Sequence, residues 1–498
     1  MNGNLYASFD ARFLAHAGEP CLRLPGAKDW SHGELRARAS VAAGALAGFG
    51  VRAGDRVVVQ VAKSPECVAL YLGCLKLGAV YVPLNTAYTA REVEYFLTDA
   101  EPALFVCGEE PHRDGKVPVA TLDAVGGGTF SEAAASAAPL DEVAQRDAED
   151  LAAIVYTSGT TGRSKGAMLS HANLASNAET LCEAWGWRDD DVLLHALPIF
   201  HVHGLFVAMH CVFLTGTSMI FLPGFEAEAF AGHLARSTVT MGVPTFYTRL
   251  LARADFGREA CASMRLFISG SAPLTEQTFH AFEARTGHRI LERYGMSETL
   301  MNTSNPLDGE RVAGTVGCAL PGVEARISGA DGEVVEAGAV GEIEVRGHNV
   351  FSGYWRMPGK TAEEFRPDGF FRTGDMGFMD AEERVTIVGR AKDVVISGGY
   401  NVYPKEVEDL IEEMPAVAET AVIGVPHPDF GEGVVAVVVP AAQDVGLDAV
   451  EEALRGRLAR FKQPKRVVNL ETLPRNAMGK VQKNALRERF AGLFDEHA

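Results

Sequence analysis

The sequence predicts an α/β protein: a large N-terminal domain of βα-layered sheets plus a small β-rich subdomain, followed by a small α+β C-terminal domain. Three observations carry that expectation. Apolar runs alternate with helical patterns over residues 30–120 and again over 192–269, the signature of βα units on a largely parallel sheet. From about 310 to 390 the texture changes to short strands between glycine turns. At 498 residues the chain also exceeds the size at which a single core stops growing, so two or more domains are expected. We place them at 1–390 and 394–498, with 391–393 as the connection.

Taken in order, Ser31-His32-Gly33-Glu34-Leu35 opens a helical pattern reaching Leu46, and 56–61 and 103–107 read as buried strands. Residues 125–149, rich in Gly, Ala, Ser and Asp, read as a surface connection before a strand at 151–156. The second block carries strands at 192–197, 218–222 and 266–269, each followed by a turn and a helical pattern; ligands collect at such strand ends. A strand at 341–347 belongs to the β-rich subdomain. Beyond Arg390 an amphipathic helix carries Val407, Leu410 and Ile411, strands lie near 421–425 and 434–439, and a final helix spans about 450–461.

Composition excludes several classes. The net charge of -19, from 46 basic against 65 acidic side chains, works against a nucleic-acid or anionic-membrane partner, so a phosphate site must be a local basic pocket. The first residues show no basic stretch followed by an apolar core and no apolar stretch of about 18 residues occurs, so no secretory leader and cytoplasmic residence are expected. The eight cysteines show no CxxC pair and no clustering with histidines, which argues against a disulfide framework or a zinc site.

Directly after the 151–156 strand comes the most informative segment, Thr157-Ser158-Gly159-Thr160-Thr161-Gly162-Arg163-Ser164-Lys165-Gly166. Its glycines let backbone approach a polyphosphate, its hydroxyls donate, and Lys165 adds positive charge. It is not the P-loop of the common nucleotide hydrolases, because Lys165 is followed by Gly166 rather than Ser or Thr. A solvated Gly/Ser linker is the competing reading.

With this loop stand, in order, Glu292-Arg293-Tyr294-Gly295-Met296-Ser297-Glu298, Thr373-Gly374-Asp375, Gly389-Arg390 and Gly479-Lys480. In that set and order the chain resembles the acyl-adenylate-forming superfamily, specifically the acyl-CoA synthetases, nearly end to end. The segments 197–206, 242–249 and 291–304 bring it nearest to malonyl-CoA synthetases within that family. The resemblance implies ATP and CoA as cosubstrates, Mg²⁺ as cofactor and an acyl-adenylate intermediate. Thr157 and Glu298 match the metal and phosphate ligands; one carboxylate suits Mg²⁺, which shares phosphates and water. Ser158, Gly159, Thr160, Thr161, Gly162 and Lys165 fall on the ATP site, as do Ser271, Ala272, Pro273, Glu292, Arg293, Gly295, Met296 and Ser297. Tyr294 matches the ring that stacks on adenine, and Asp375 and Arg390 the ribose contacts. Lys480 matches the adenylation lysine on a mobile C-terminal domain that pivots at Asp393, with Gly398, Gly399 and Tyr400 lining the CoA tunnel. His201 matches a residue that gates the thiol channel and positions the acyl group. Acylation of Lys480 would remove its charge, which makes a lysine acyltransferase a candidate partner.

A dicarboxylate keeps one carboxylate after adenylation, and burying it calls for an arginine fork. Arg249 and Arg293 stand at matching positions, with Ser271, Met301 and His201 on the same pocket. Arg293 precedes Tyr294 where the superfamily often has Gly, so a short diacid, malonate, is expected. Val202 replaces a Thr frequent in malonate-specific relatives, which would admit methylmalonate. A ligase for another short acid, and an adenylation enzyme that loads a carrier protein, are the alternatives.

Overall fold

The computed structural model describes residues 2–109, 117–157, 164–475 and 480–495. It divides into two compact units, Met1–Ala325 with Val345–Phe371, and Arg326–Glu344 with Arg372–Ala498. The second unit thus takes in Arg372–Arg390, ahead of the segment at 391–393 expected as the connection.

The first unit is built on two sheets. One runs Cys318–Ala319, Leu300–Ser304, Leu291–Met296, Leu266–Ser269, Val239–Gly242, Val192–His195, Ser218–Phe221, Pro20–Arg23, Trp30–Ser31. Its interior pairings, from Leu291–Met296 across to Pro20–Arg23, are all parallel, and antiparallel pieces finish both edges. The other runs Gly353–Tyr354, Lys165–Ser170, Leu151–Thr157, Val80–Pro83, Arg56–Gln60, Leu104–Cys107, Val119–Thr121. Strands covered on both faces need apolar side chains at every position rather than at alternate ones. Val80–Pro83 and Leu104–Cys107 are accordingly buried throughout. The helix Pro65–Leu77 shows the same logic in helical form: it is buried from Cys67 to Lys76, with Ser64 capping the Cys67 amide and Pro65 in the first turn. The helical pattern opened by Ser31 is the helix His32–Gly48, started by a capping box between Ser31 and Glu34.

In the second unit Phe371–Met379 pairs antiparallel with Val385–Arg390. A five-stranded sheet follows, in which Val417–His427 and Gly431–Pro440 form a long hairpin. Val422, Val434, Ala436 and Val438 face one core with Val407 and Ile411 of the helix Pro404–Glu412. Ala421, Ile423, Val435 and Val437 face the other, with Leu486 of the helix Lys483–Arg489. Two covered faces explain why this hairpin reads as an unbroken valine run.

Three expectations are corrected. The 125–149 connection contains a helix, Thr129–Ser136, held by the buried Phe130. The helix expected over 450–461 is Leu447–Leu454, ending where Gly456 takes a left-handed turn. It is not the final one, because Lys483–Arg489 follows. All eight cysteines are free, and no helix among the described residues is long and apolar enough to cross a membrane.

Candidate active site

The strand that ends at Thr157 pairs with the one that begins at Lys165, setting these two residues opposite each other. Ser158, Gly159, Thr160, Thr161 and Gly162, between them, lie outside the described residues. Thr157 Oγ1 lies 3.5 Å from Glu298 Oε1, so the structure brings together the two side chains expected to share a metal. Glu298 is only 5% exposed. Its Oε1 also accepts a hydrogen bond of 3.0 Å from the Tyr354 hydroxyl, and its main-chain carbonyl accepts from the Phe351 amide. Lys165 Nζ stands 4.2 Å over the Tyr354 ring and 3.5 Å from Glu364 Oε1, so a phosphate there must compete with Glu364. Tyr354 has no motif to announce it. No three His, Cys, Asp or Glu side chains among the described residues are grouped to hold a metal. Mg²⁺ would therefore rest on Glu298, Thr157, nucleotide oxygens and water, which fits its reluctance to dehydrate. Tyr354→Phe is expected to raise the Mg²⁺ concentration for half-maximal activity about tenfold, the usual scale for losing a group that orients a metal ligand. A titration of AMP formation against Mg²⁺ checks it; an unchanged midpoint would remove Tyr354 from the metal site.

The neighbouring acyl end is built on the strands Leu266–Ser269 and Leu291–Met296, adjacent and parallel. Arg293 is 3% exposed, and two of its guanidinium nitrogens, Nε and Nη2, are buried without a hydrogen-bond partner. No ion pair reaches it among the described residues. Burial pushes its pKa down to about 9, so at neutral pH it remains a cation. The guanidinium lies against Gly270, where an added Cβ would come within 2.5 Å of Arg293 Cζ. Ser271, next in the chain, adopts a left-handed backbone at φ 69°. Its Oγ is 3.1 Å from His203 Nδ1. The His203 amide donates to Nδ1 of the half-buried His201 at 3.3 Å. Met301 is buried and pairs in register with Gly295.

Other expected residues fall as follows. Arg249 is exposed near the end of the helix Pro244–Leu251, whose Phe246, Tyr247 and Leu250 point inward, so it is not buried with Arg293. Glu292 Oε1 accepts from the Leu274 amide at 3.0 Å, bracing the segment that holds Ser271, Ala272 and Pro273. Tyr294 is buried in its strand, and Gly295, Met296 and Ser297 are half-buried leading to Glu298.

In the second unit Asp375 and Arg390 are opposite each other across the hairpin, with Arg390 Nε 2.6 Å from Asp375 Oδ1. Arg487 Nη2 donates to Asp393 Oδ1 at 2.7 Å. Gly398 and Gly399, at φ 60° and 83°, form a two-residue hairpin turn that demands left-handed backbone at both positions. Beside it Tyr400, 60% exposed, packs on Phe461 with ring centroids 4.8 Å apart and the rings tilted by 34°. A cavity of about 330 Å³ lies there, rimmed by Arg460 and Lys465. Lys480 is exposed.

A carboxylate–hydroxyl pair beside a basic hairpin, together with a buried unpaired arginine on a doubly layered α/β body, defines an enzyme that handles a nucleotide and an acid. Residues 9–355 match the AMP-binding enzyme model and 406–480 the AMP-binding enzyme C-terminal domain. The chain is 36% identical over 486 residues to a malonate–CoA ligase of Arabidopsis thaliana, covering 89% of this chain and 79% of that one. It is 37% identical to an indoleacetate–CoA ligase of Aromatoleum aromaticum, covering 95% of each. The crystal structure of ATP-bound MatB from Rhodopseudomonas palustris superposes with a TM-score of 0.95 at 52% identity, covering 99% of this chain and 100% of that one. The chain belongs to the AMP-binding enzyme family, among the acyl-CoA synthetases. Its activity class is acid–thiol ligase, AMP-forming.

Proposed function

We propose that this enzyme joins malonate to CoA through malonyl-adenylate, with AMP and pyrophosphate as products, and that it also accepts methylmalonate. A carboxylate oxygen of malonate attacks the α-phosphorus of ATP and the bond to the β-phosphate breaks, releasing pyrophosphate. The CoA sulfur, having given up its proton, then attacks the acyl carbon and AMP leaves. Bound Mg²⁺ would neutralise charge on the phosphates. Thr157 and Glu298 are assigned to holding it, Asp375 and Arg390 to the ribose, Lys480 to the α-phosphate, and Gly398, Gly399 and Tyr400 to CoA.

The observation that carries the choice of acid is the buried Arg293 cation, with two orphaned nitrogens and no ion-pair partner among the described residues. A buried charge without a counter-ion is costly, and the unreacted carboxylate of a short diacid is the group whose charge and bidentate shape complete it. A monocarboxylate would leave it unmatched. The malonate–CoA ligase and MatB relatives support the same reading. Methylmalonate rests on the apolar Val202, buried between His201 and His203 in the chain.

CoA-dependent AMP formation with malonate, methylmalonate, succinate, acetate and butyrate tests the assignment. Malonate is expected to give a kcat/KM at least 100-fold above butyrate. Equal or better use of butyrate would leave an acyl-CoA synthetase and remove malonate as its substrate. Transfer to a phosphopantetheinyl carrier protein but not to free CoA would shift the assignment to carrier loading.

A further inference from the structure

The geometry points to His203 as a second recognition group for the free carboxylate of the acid, donating from Nε2 beside Arg293 while the Ser271 hydroxyl fixes its tautomer. This rests on the diacid reading above.

His203 opens a π-helical turn, His203–Ala208, immediately after the strand-end segment that holds His201. It is 2% exposed, and its two ring nitrogens have different fates. Nδ1 faces Ser271 Oγ at 3.1 Å, whereas Nε2 is buried with no partner among the described residues. Such a nitrogen in a core histidine is ordinarily matched by a carbonyl, as His195 Nε2 is matched by the Gly204 carbonyl at 2.9 Å on the same turn.

Two contacts locate it beside Arg293. The guanidinium lies on Gly270 and the imidazole reaches Ser271, so both side chains converge on consecutive residues of one turn. Three orphaned polar atoms, Arg293 Nε and Nη2 and His203 Nε2, therefore gather around Gly270 and Ser271. One carboxylate can accept from several of them.

Charge settles the state of the ring. Burial, and then the Arg293 cation, hold His203 well below the usual histidine range, so it is neutral and carries a single N–H. A proton on Nδ1 would turn a lone pair toward the incoming anion. Donation from Ser271 to Nδ1 places the proton on Nε2 instead. The left-handed backbone of Ser271, unusual for a residue with a Cβ, is the strain expected where a hydroxyl must be aimed. Ser271 was expected to meet the acid directly; here its hydroxyl is engaged by His203.

The test compares wild type, His203→Phe, His203→Gln and Ser271→Ala with malonate, its monoamide malonamate, and butyrate, at saturating ATP, Mg²⁺ and CoA. His203→Phe should raise the KM for malonate about 10- to 100-fold, the scale of a hydrogen bond to a charged group, while kcat falls far less. The KM values for ATP, malonamate and butyrate should move less than threefold. His203→Gln, whose amide nitrogen falls near Nε2, should recover most of the loss, and Ser271→Ala should show a smaller rise in the KM for malonate. Equal losses on all three acids, or no recovery by glutamine, would overturn the assignment of His203. If wild type itself prefers malonamate or butyrate, the diacid reading fails, whatever the variants do.

Discussion

Lys480→Ala should abolish malonyl-adenylate formation while leaving the enzyme able to convert supplied malonyl-adenylate and CoA to product. In the first half-reaction negative charge accumulates around the α-phosphorus as the carboxylate attacks, and an ammonium placed there is differentially useful in the transition state. Loss of one such group typically costs about 10²- to 10³-fold in rate. The second half-reaction discharges AMP from a carbonyl carbon and has no such demand on Lys480. ATP–pyrophosphate exchange with malonate reads the first step, and thioester formation from synthetic malonyl-adenylate reads the second. Parallel loss of both would mean that Lys480 acts through structure rather than on the phosphate.

Arg293→Leu should lower kcat/KM for malonate by about 30- to 5,000-fold, from the roughly 2–5 kcal/mol that follows loss of one member of a buried charged pair. Butyrate turnover should hold or improve. The stability of the ligand-free enzyme should not fall and is expected to gain about 1–4 kcal/mol, because leucine removes a buried cation with two guanidinium nitrogens unpartnered among the described residues. Malonate alone should raise the melting temperature of wild type and not of the variant, since a ligand that binds only the folded state stabilises it by mass action. A variant that unfolds at lower temperature and loses malonate and butyrate alike would make Arg293 a structural residue.

These results bear on how much of the site a sequence can disclose. The spacing of 157–166 from Glu298 carries no distance, yet the motif order was enough to pair Thr157 with Glu298, and the structure brings them to 3.5 Å. Motif order said nothing of Tyr354, because an aromatic at the edge of a short strand looks the same whether its hydroxyl meets a carboxylate or water. The sequence singled out His201, whereas the histidine that faces Ser271 is His203, two residues on. Which one faces Ser271 depends on a π-helical turn, whose repeat differs from the 3.6 period by which helices are read. Arg249 is the opposite case. Phe246, Tyr247 and Leu250 share one buried helical face, and Arg249 falls outside it by simple spacing, a period already visible in the sequence. The valine run at 434–438 disclosed a strand but not its two cores, because a strand covered on both sides reads like any continuous apolar segment.

The ion pair between Arg487 and Asp393 gives the segment we assign as the hinge a mechanical character. A pivot residue in open solvent would act as a loose swivel. Asp393 is instead clasped by Arg487 on the helix Lys483–Arg489 of the same unit, so a rotation at this segment would carry the clasp along rather than break it.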